Sequence, residues 1–352
     1  MERILIIGNG FDLDLGLKTS YQDFLRSESK SFENLIATQN VLARYLNYKN
    51  EIQNWVDVEH ELKNYANDLY KKPDALQNFL KREKYITENI TSGATYYRIN
   101  DAIFPEIDSV YNLYLLFKTN LKKEFVALKE ALCTHLTEAQ RQQNDSKSNA
   151  YRILKYGTLF NDNGSYHDFN FPDEIEQKKF DSIYSFNYTN SLKDYTGRTD
   201  GGHAVEPFFI HGSLNQNNIV FGVEDDSVPE ECNFLLKSDH AAFGFAPDLL
   251  LNIFSNEPNE FHFFGCSLGD TDNIHFENFF SALTKRWDAT NILIPKHHLF
   301  FYVYDKSGYQ AIRNRILRLT KGQLAAFKKN NKVIFYDIKS NVMIDQNYLN
   351  QL

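Results

Sequence analysis

The sequence predicts an α/β protein with a mostly parallel sheet and a large helical insertion. Three observations favour this class. An apolar run at residues 3–7 breaks directly into Gly8-Asn9-Gly10, as a first strand that turns into a helix does. Short apolar runs alternate with helical patterns after residue 180. Residues 21–143, by contrast, are rich in Leu, Lys, Glu, Asn and Tyr, which indicates helices.

Strands are expected where apolar or aromatic runs end in small polar residues. After the opening run, these segments are Ser182–Phe186, Phe208–His211, Ile219–Phe221, Phe261–Gly265, Phe300–Tyr304 and Lys332–Asp337. Helical patterning occupies Ile274–Lys285 and Tyr309–Leu319, and the Asp270-Thr271-Asp272 cluster is expected to cap the first of these helices.

The change of composition along the chain predicts two domains. Residues 1–24 and 150–352 are expected to form an α/β core, and residues 25–149 a helical insertion or cap. The polar stretch 141–149 is expected to be an exposed linker. We expect the insertion to cover the strand ends, with Glu59 lining the pocket; the alternative is that Glu59 lies on a solvated helix face.

Charge and cysteine content disfavour several classes of protein. The 352 residues carry a net charge of −8, and the basic residues are scattered, which disfavours nucleic acid as a partner. No leader pattern opens the chain and no apolar stretch reaches the length of a membrane span, so we expect a cytoplasmic protein without membrane contact. The three cysteines are far apart, so no zinc site or other metal centre is expected.

The Gly8-Asn9-Gly10 turn is typical of a phosphate site, because it presents backbone N–H groups and a helix N-terminus. The dinucleotide fingerprint requires a third glycine three residues later, where this chain has Leu13, so the motif is incomplete. Asp12 either orients a ligand or caps the first helix, and its position fits both roles.

Later predicted strands also end in small, hydrogen-bonding residues. The chain continues past them into Asn187-Tyr188-Thr189-Asn190, His211-Gly212-Ser213 and Gly265-Cys266-Ser267-Leu268-Gly269-Asp270. Open parallel sheets bind ligands beyond the carboxyl ends of their strands. Four strand ends are therefore predicted to converge on one crevice.

In this order, the motifs resemble the AbiH-like family of abortive infection proteins, which act against bacteriophage. The resemblance extends to about residue 272 and rests on Gly8-Asn9-Gly10-Phe11-Asp12, Gly16-Leu17-Lys18-Thr19-Ser20-Tyr21-Gln22-Asp23-Phe24, Trp55-Val56-Asp57-Val58-Glu59, Phe186-Asn187-Tyr188-Thr189-Asn190, His211-Gly212-Ser213 and Gly265-Cys266-Ser267-Leu268-Gly269-Asp270-Thr271-Asp272. It implies a role in phage defence.

A more distant resemblance is to sirtuin-like NAD-binding proteins, whose sheet is of the Rossmann type. It implies that the first glycine turn holds the pyrophosphate of NAD and that Asn187 and His211 act beside the nicotinamide ribose. His211 is then the base, because histidine titrates near neutral pH, with Asn187 and Asp12 as orienting groups. The residues predicted to bind the nucleotide are Gly8, Asn9, Gly10, Phe11, Gly212, Ser213, Gly265, Ser267, Leu268 and Asp270.

Two positions depart from the sirtuin-like pattern. Asp12 replaces a small hydroxyl residue, and Thr189 replaces an Asp that commonly follows the Asn. The chain also has too few cysteines for the zinc module of deacetylating sirtuins, so cleavage or binding of NAD is expected rather than deacetylation.

The functional hypothesis is an NAD glycohydrolase. The alternative is a non-catalytic sensor of ADP-ribose or another nucleotide that switches a defence partner. Thr189 favours the sensor, whereas Asn187 and His211 favour the enzyme. An effector that acts on nucleic acid is a third class, which the acidic charge disfavours. Besides the nucleotide, we expect a defence-system protein or a second copy of the chain as a partner.

Overall fold

The computed structural model describes residues 1–26, 29–53, 56–91, 94–142, 147–157, 159, 180–192, 205–224, 228–240, 243–244, 247–254, 257–285 and 294–344. The chain divides into two compact units. The sheet unit comprises Met1–Lys18, Ala139–Ile219 and Gly244–Leu352, and the helical unit comprises Thr19–Glu138 and Val220–Phe243. Relative to the expected domains, residues 139–149 group with the sheet, and residues 19–24 and 220–243 group with the helices.

Strands and helices are numbered in chain order. The strands are β1 (Arg3–Ile7), β2 (Ile86–Thr91), β3 (Ala94–Ile99), β4 (Ser182–Ser185), β5 (Phe208–Phe209), β6 (Glu260–Phe264), β7 (His298–Val303), β8 (Lys332–Asp337) and β9 (Val342–Met343). The helices are α1 (Asn9–Asp14), α2 (Tyr21–Leu25), α3 (Lys30–Ala37), α4 (Val41–Gln53), α5 (Val58–Lys71), α6 (Gln77–Arg82), α7 (Val110–Gln140), α8 (Asn149–Tyr156), α9 (Asn273–Leu283), α10 (Lys306–Leu319) and α11 (Leu324–Asn330). None of these helices combines the length and apolar character needed to cross a bilayer.

Seven strands of the described chain form one sheet in the order β5-β4-β1-β6-β7-β8-β9. Every neighbouring pair is parallel except β8 with β9. The predicted α/β class with a mostly parallel sheet is therefore confirmed. When the six parallel strands are counted in chain order, the sequence of strands across the sheet is 3-2-1-4-5-6.

The central strand β1 explains why the sheet could be predicted. All five of its residues are buried, with Ile4 and Ile6 in the hydrophobic cluster on one face and Leu5 and Ile7 in the cluster on the other. A parallel strand covered on both faces has a continuous apolar sequence rather than an alternating one.

Four further predicted strands are confirmed as β4, β6, β7 and β8, with ends shifted by at most two residues. β5 is shorter than expected, and His211 lies in the turn after it. The prediction of a strand at Ile219–Phe221 is wrong. This apolar run is buried by packing, with the Phe221 ring stacked 5.6 Å from that of Phe125, and not by strand pairing.

The helical unit contains α2 to α6 and most of α7, together with an antiparallel hairpin of β2 and β3. The hairpin corrects the expectation of helices throughout this region. Both strands carry β-branched side chains, and β3 also carries Tyr96 and Tyr97; these residue types favour extended backbone.

Candidate functional site

The carboxyl ends of β4, β1 and β6 lie side by side, because these three strands are parallel neighbours. The residues that directly follow them are Phe186, Gly8 and Gly265. The order of strands reverses at β1, since later strands are added first beside β4 and then beside β6. Ligands of open α/β sheets bind at such a reversal, so this edge is the candidate site.

Three glycines pack the first turn against the loop after β6. Gly8 N–H donates to the Phe264 carbonyl at 3.2 Å, and Gly10 N–H donates to the Gly265 carbonyl at 2.9 Å. A Cβ on Gly8 would lie 2.8 Å from the Gly265 oxygen, and a Cβ on Gly10 would lie 2.7 Å from Gly265 Cα. Gly265 has a φ of +63°, and its Cβ would lie 2.1 Å from Phe11 N. Backbone packing therefore requires glycine at all three positions.

This packing bears on the predicted phosphate role of the turn. The N–H groups of Gly8 and Gly10 already donate to carbonyl oxygens of the same sheet unit. A larger residue at Gly8 would disrupt the packing whether or not a nucleotide binds there, so its effect on binding does not identify a phosphate site.

Asp12 is held in the interior by α1. Its side chain is 1 % exposed, and the Thr189 hydroxyl donates a hydrogen bond to Oδ2. Oδ1 has no hydrogen-bond partner in the described part of the chain. Burial raises the pKa of Asp12 to about 6, an effect that the Thr189, Ser191 and Asn187 side chains oppose by stabilising the charged form. Gly8 occupies the N-cap position of α1, so the alternative of Asp12 as its cap is wrong.

Asn187 lies beside Asp12, just after β4. Its backbone N–H donates to the Ser185 hydroxyl at 3.2 Å. Its side chain is buried and is close enough to Asp12 to stabilise the carboxylate, yet Nδ2 forms no hydrogen bond with any described residue. A buried amide donor and a buried carboxylate acceptor therefore lie near each other with unused hydrogen-bonding capacity.

His211 forms a pair with Asp272, with 2.7 Å between Nε2 and Oδ1. Both side chains are mostly buried, and the rings of Phe186 and Tyr188 lie 5.6 and 6.3 Å from the imidazole. Because a carboxylate accepts from Nε2, the neutral imidazole keeps its lone pair on Nδ1. Nδ1 is buried and has no hydrogen-bond partner among the residues described.

Segment 186–191, which follows β4, contacts both groups with alternate side chains. Phe186 and Tyr188 contact His211, whereas residues 187, 189 and 191 surround Asp12. No hydrogen bond of Asn187 Nδ2 or His211 Nδ1 joins the two groups within the described chain. The predicted partners Asn187 and His211 are thus carried by one edge of the sheet, and a common ligand would have to connect them.

The Asp270-Thr271-Asp272 cluster caps α9 only by position, because Asp272 occupies the N-cap of the helix as expected. It forms a 3₁₀ turn before the helix, and the Asp272 side chain makes no capping hydrogen bond. Asp272 instead contacts His211, and Asp270 forms an ion pair with Arg315. The two carboxylates therefore form charge-assisted hydrogen bonds with a buried imidazole and a buried guanidinium, and the Asp272 side chain does not bond the helix N-terminus.

The other predicted ligand residues are divided between surface and core. Asn9, Ser267 and Asp270 are exposed. Phe11 and Leu268 are fully buried, so their side chains pack in the core rather than face a ligand.

Gly212 and Ser213 shape the turn that carries His211. Gly212 has a φ of +69°, and a Cβ there would lie 2.1 Å from the Asn218 carbonyl oxygen. Ser213 N–H donates to Asn218 Oδ1 at 2.8 Å, and the Ser213 hydroxyl accepts from Gln216 N–H at 3.3 Å. The turn is thereby fixed by its own hydrogen bonds.

Neither a thiol nucleophile nor a metal cluster is evident at this edge. Burial of the thiol raises the pKa of Cys266 to about 12, although the residue as a whole is only half-buried. Within the described ranges, no three His, Cys, Asp or Glu side chains are grouped as metal ligands would be.

Glu59 lies in the helical unit and is buried, so the alternative of a solvated helix face is wrong. Its carboxylate pairs with Lys237 at 2.9 Å and accepts from the Tyr21 hydroxyl at 3.1 Å. A place for Glu59 at the pocket stays a prediction.

Sequence reasoning missed two contributors to the site. Asp272 was expected to be a cap, and Ser191 was assigned no role. The signal for Ser191 is its spacing, because residues 187, 189 and 191 alternate along the chain and all contact Asp12. The Asp272 partnership left no comparable signal, since it joins two loops 61 residues apart.

This geometry defines an α/β protein with a buried carboxyl, amide and imidazole at the carboxyl edge of a parallel sheet. A family model described as "Bacteriophage abortive infection AbiH" matches residues 4–292. The chain belongs to this AbiH family. The search of curated proteins and the search of solved structures found no match.

We expect Gly265→Ala to destabilise the chain more than Gly322→Ala. Gly322 also has a positive φ, +83°, but nothing lies within 4 Å of a Cβ there, so alanine costs about 1–2 kcal/mol of backbone strain. At Gly265 the clash with Phe11 N adds roughly 1–3 kcal/mol. Urea denaturation measures both losses, and equal losses would contradict the packing role of Gly265.

We expect Asp12→Asn to stabilise the chain at pH 8. Burial raises the pKa of Asp12 from its ordinary value of 3.8 to about 6 in the folded state, so ionisation favours the unfolded state. The stability that the protonated carboxyl contributes is complete below pH 3.8 and is lost as the pH rises through 6. At about 1.4 kcal/mol per pKa unit, the loss reaches about 3 kcal/mol at pH 8.

The measurement is the difference in unfolding free energy between Asp12→Asn and the parent chain from pH 4 to pH 8. The advantage of the variant should grow across this range. An advantage that is constant with pH would show that Asp12 is not a buried carboxyl of raised pKa.

Proposed function

We propose that this AbiH protein acts in abortive infection by binding cytoplasmic NAD and hydrolysing the bond between its nicotinamide and ribose. The proposal rests on one observation, which concerns a buried polar atom in each of the three residues assigned to catalysis. Asp12 Oδ1, Asn187 Nδ2 and His211 Nδ1 are all buried and all lack a hydrogen-bond partner within the described chain. Buried polar atoms are normally paired, so three such atoms at one sheet edge favour a polar ligand.

The strand order supports a dinucleotide as this ligand. The order 3-2-1-4-5-6 is that of Rossmann-type sheets, which bind dinucleotides where the order reverses. In this chain the reversal falls at β1, which leads directly to α1 and Asp12. The support comes from topology, and the resemblance to sirtuin-like proteins agrees with it.

The side chains match the needs of N-glycoside hydrolysis. A water molecule attacks the anomeric carbon, the carbon–nitrogen bond breaks, and nicotinamide leaves with the bonding electron pair. His211 would accept the proton of the water on Nδ1, while Asp272 stabilises the resulting imidazolium through Nε2. Asp12 and Asn187 would orient the water and the ribose hydroxyls, and the carboxylate of Asp12 would favour positive charge that develops at the sugar.

A nucleotide sensor without catalysis is the second candidate. The observation that favours it is the Thr189 hydroxyl, which occupies one oxygen of Asp12. This bond leaves a single Asp12 oxygen for a ligand. Thr189 also stands where sirtuin-like proteins commonly have an Asp, so this position provides no second carboxylate. Such a site would bind ADP-ribose or a related nucleotide and pass the signal to a defence partner.

We expect His211→Ala and Asn187→Ala each to lower NAD turnover by about 10²–10⁴-fold, as loss of a general base or positioning group does. The double variant should lose much less than the product of the two, because both residues act in one step. Chromatography of nicotinamide released from NAD by the purified chain is the measurement. His298→Gln is the matched control, since His298 begins β7 at the opposite, amino edge of the sheet.

The outcomes separate the two candidates. Tight nucleotide binding without nicotinamide release, even in phage-infected cells, would favour the nucleotide sensor over the enzyme. Turnover that survives both substitutions would show that the active site lies elsewhere.

A further inference from the structure

Arg315 of α10 is a buried cation that contacts residues 268–273, the end of the loop after β6 together with the first residue of α9, at three points. Its Nε donates to the Leu268 carbonyl, its Nη1 donates to Asp270, and its Nη2 donates to Asn273 Oδ1 at 2.7 Å. The side chain is only 6 % exposed. One planar guanidinium thus fixes a six-residue loop from its first residue to its last.

The backbone of this loop needs a stabilising partner at Leu268. Leu268 has a φ of +52°, a left-handed conformation that is strained for a leucine. Leu268 is also fully buried, so its backbone carbonyl depends on a partner from the protein. Arg315 provides that partner and holds the turn in the strained conformation.

Arg315 and its ion-pair partner Asp270 differ in burial, which indicates that the loop conforms to Arg315. Arg315 is buried, whereas the side chain of its ion-pair partner Asp270 is 73 % exposed. A buried guanidinium without acceptors is costly, so the loop is drawn onto Arg315 rather than the reverse. Two residues lie between the Arg315 contacts at Asp270 and Asn273, and the second of them, Asp272, pairs with His211.

We propose that Arg315 is a positioning residue that acts through loop 268–273 to keep the Asp272 carboxylate on His211 Nε2. It fixes the residues on both sides of Asp272 and thereby selects the imidazole tautomer with its lone pair on Nδ1. Arg315 lies beyond residues 4–292, the part of the chain that the family model matches. Only the catalytic consequence of this role rests on the proposed function.

The direct test is the tautomer of His211, read from the ring ¹⁵N chemical shifts of the full chain labelled at histidine. The His211 signals are assigned by their absence in His211→Gln. We expect Arg315→Met to abolish the preference for the Nε2–H tautomer, because Asp272 is released. Arg318→Met is the matched control on the same helix, since Arg318 is exposed, and it should leave the tautomer unchanged.

Arg315→Lys is the second test variant and is used if Arg315→Met does not fold. Lysine retains the positive charge but cannot donate to all three acceptors. A wild-type His211 tautomer in either folded variant would overturn the proposal. If the parent chain releases nicotinamide, Arg315→Lys should lower kcat by about 10²-fold with KM little changed. A parent chain without turnover would refute the proposed function and leave the tautomer test intact.

Discussion

The close backbone contact between the first turn and the loop after β6 is the constraint on which the site depends. Gly8, Gly10 and Gly265 have no space for a side chain where they meet, and two N–H···O bonds join them to the carbonyls after and within β6. This contact sets the direction of α1, which carries Asp12 inward. It also fixes the start of the loop that ends with Asp272. Both polar groups of the site are therefore positioned from a single backbone junction.

The buried carboxyl at this junction works against stability. A cost of about 3 kcal/mol at neutral to alkaline pH is a large share of the 5–15 kcal/mol by which domains are stable. An amide or apolar residue in place of Asp12 would avoid it. Groups whose pKa values are moved toward neutrality by burial are concentrated at functional sites, which is the physical reason for placing function at Asp12 rather than at the surface carboxylates.

The sequence predicted the features that are local. β1 could be recognised because a buried parallel strand is a continuous apolar run, and β6 because it is rich in phenylalanine. Asn187 and His211 could be recognised because each follows a segment that contains aromatic and aliphatic residues. The β2–β3 hairpin was missed because its strands lie within a long region of helical composition. The contacts of Asp272 and Arg315 could not be predicted, since each depends on how separate loops and helices pack in three dimensions.

The central claim is that one ligand engages both the Asp12 group and His211. A crystal structure of the His211→Ala chain with NAD tests it most directly, because this variant is expected to bind NAD without cleaving it. The account predicts the nicotinamide ribose at the carboxyl ends of β1 and β4, with its hydroxyls donating to Asp12 Oδ1 and accepting from Asn187 Nδ2, and with its anomeric carbon facing position 211. NAD bound at another edge of the sheet, with Asp12 and Asn187 untouched, would contradict it.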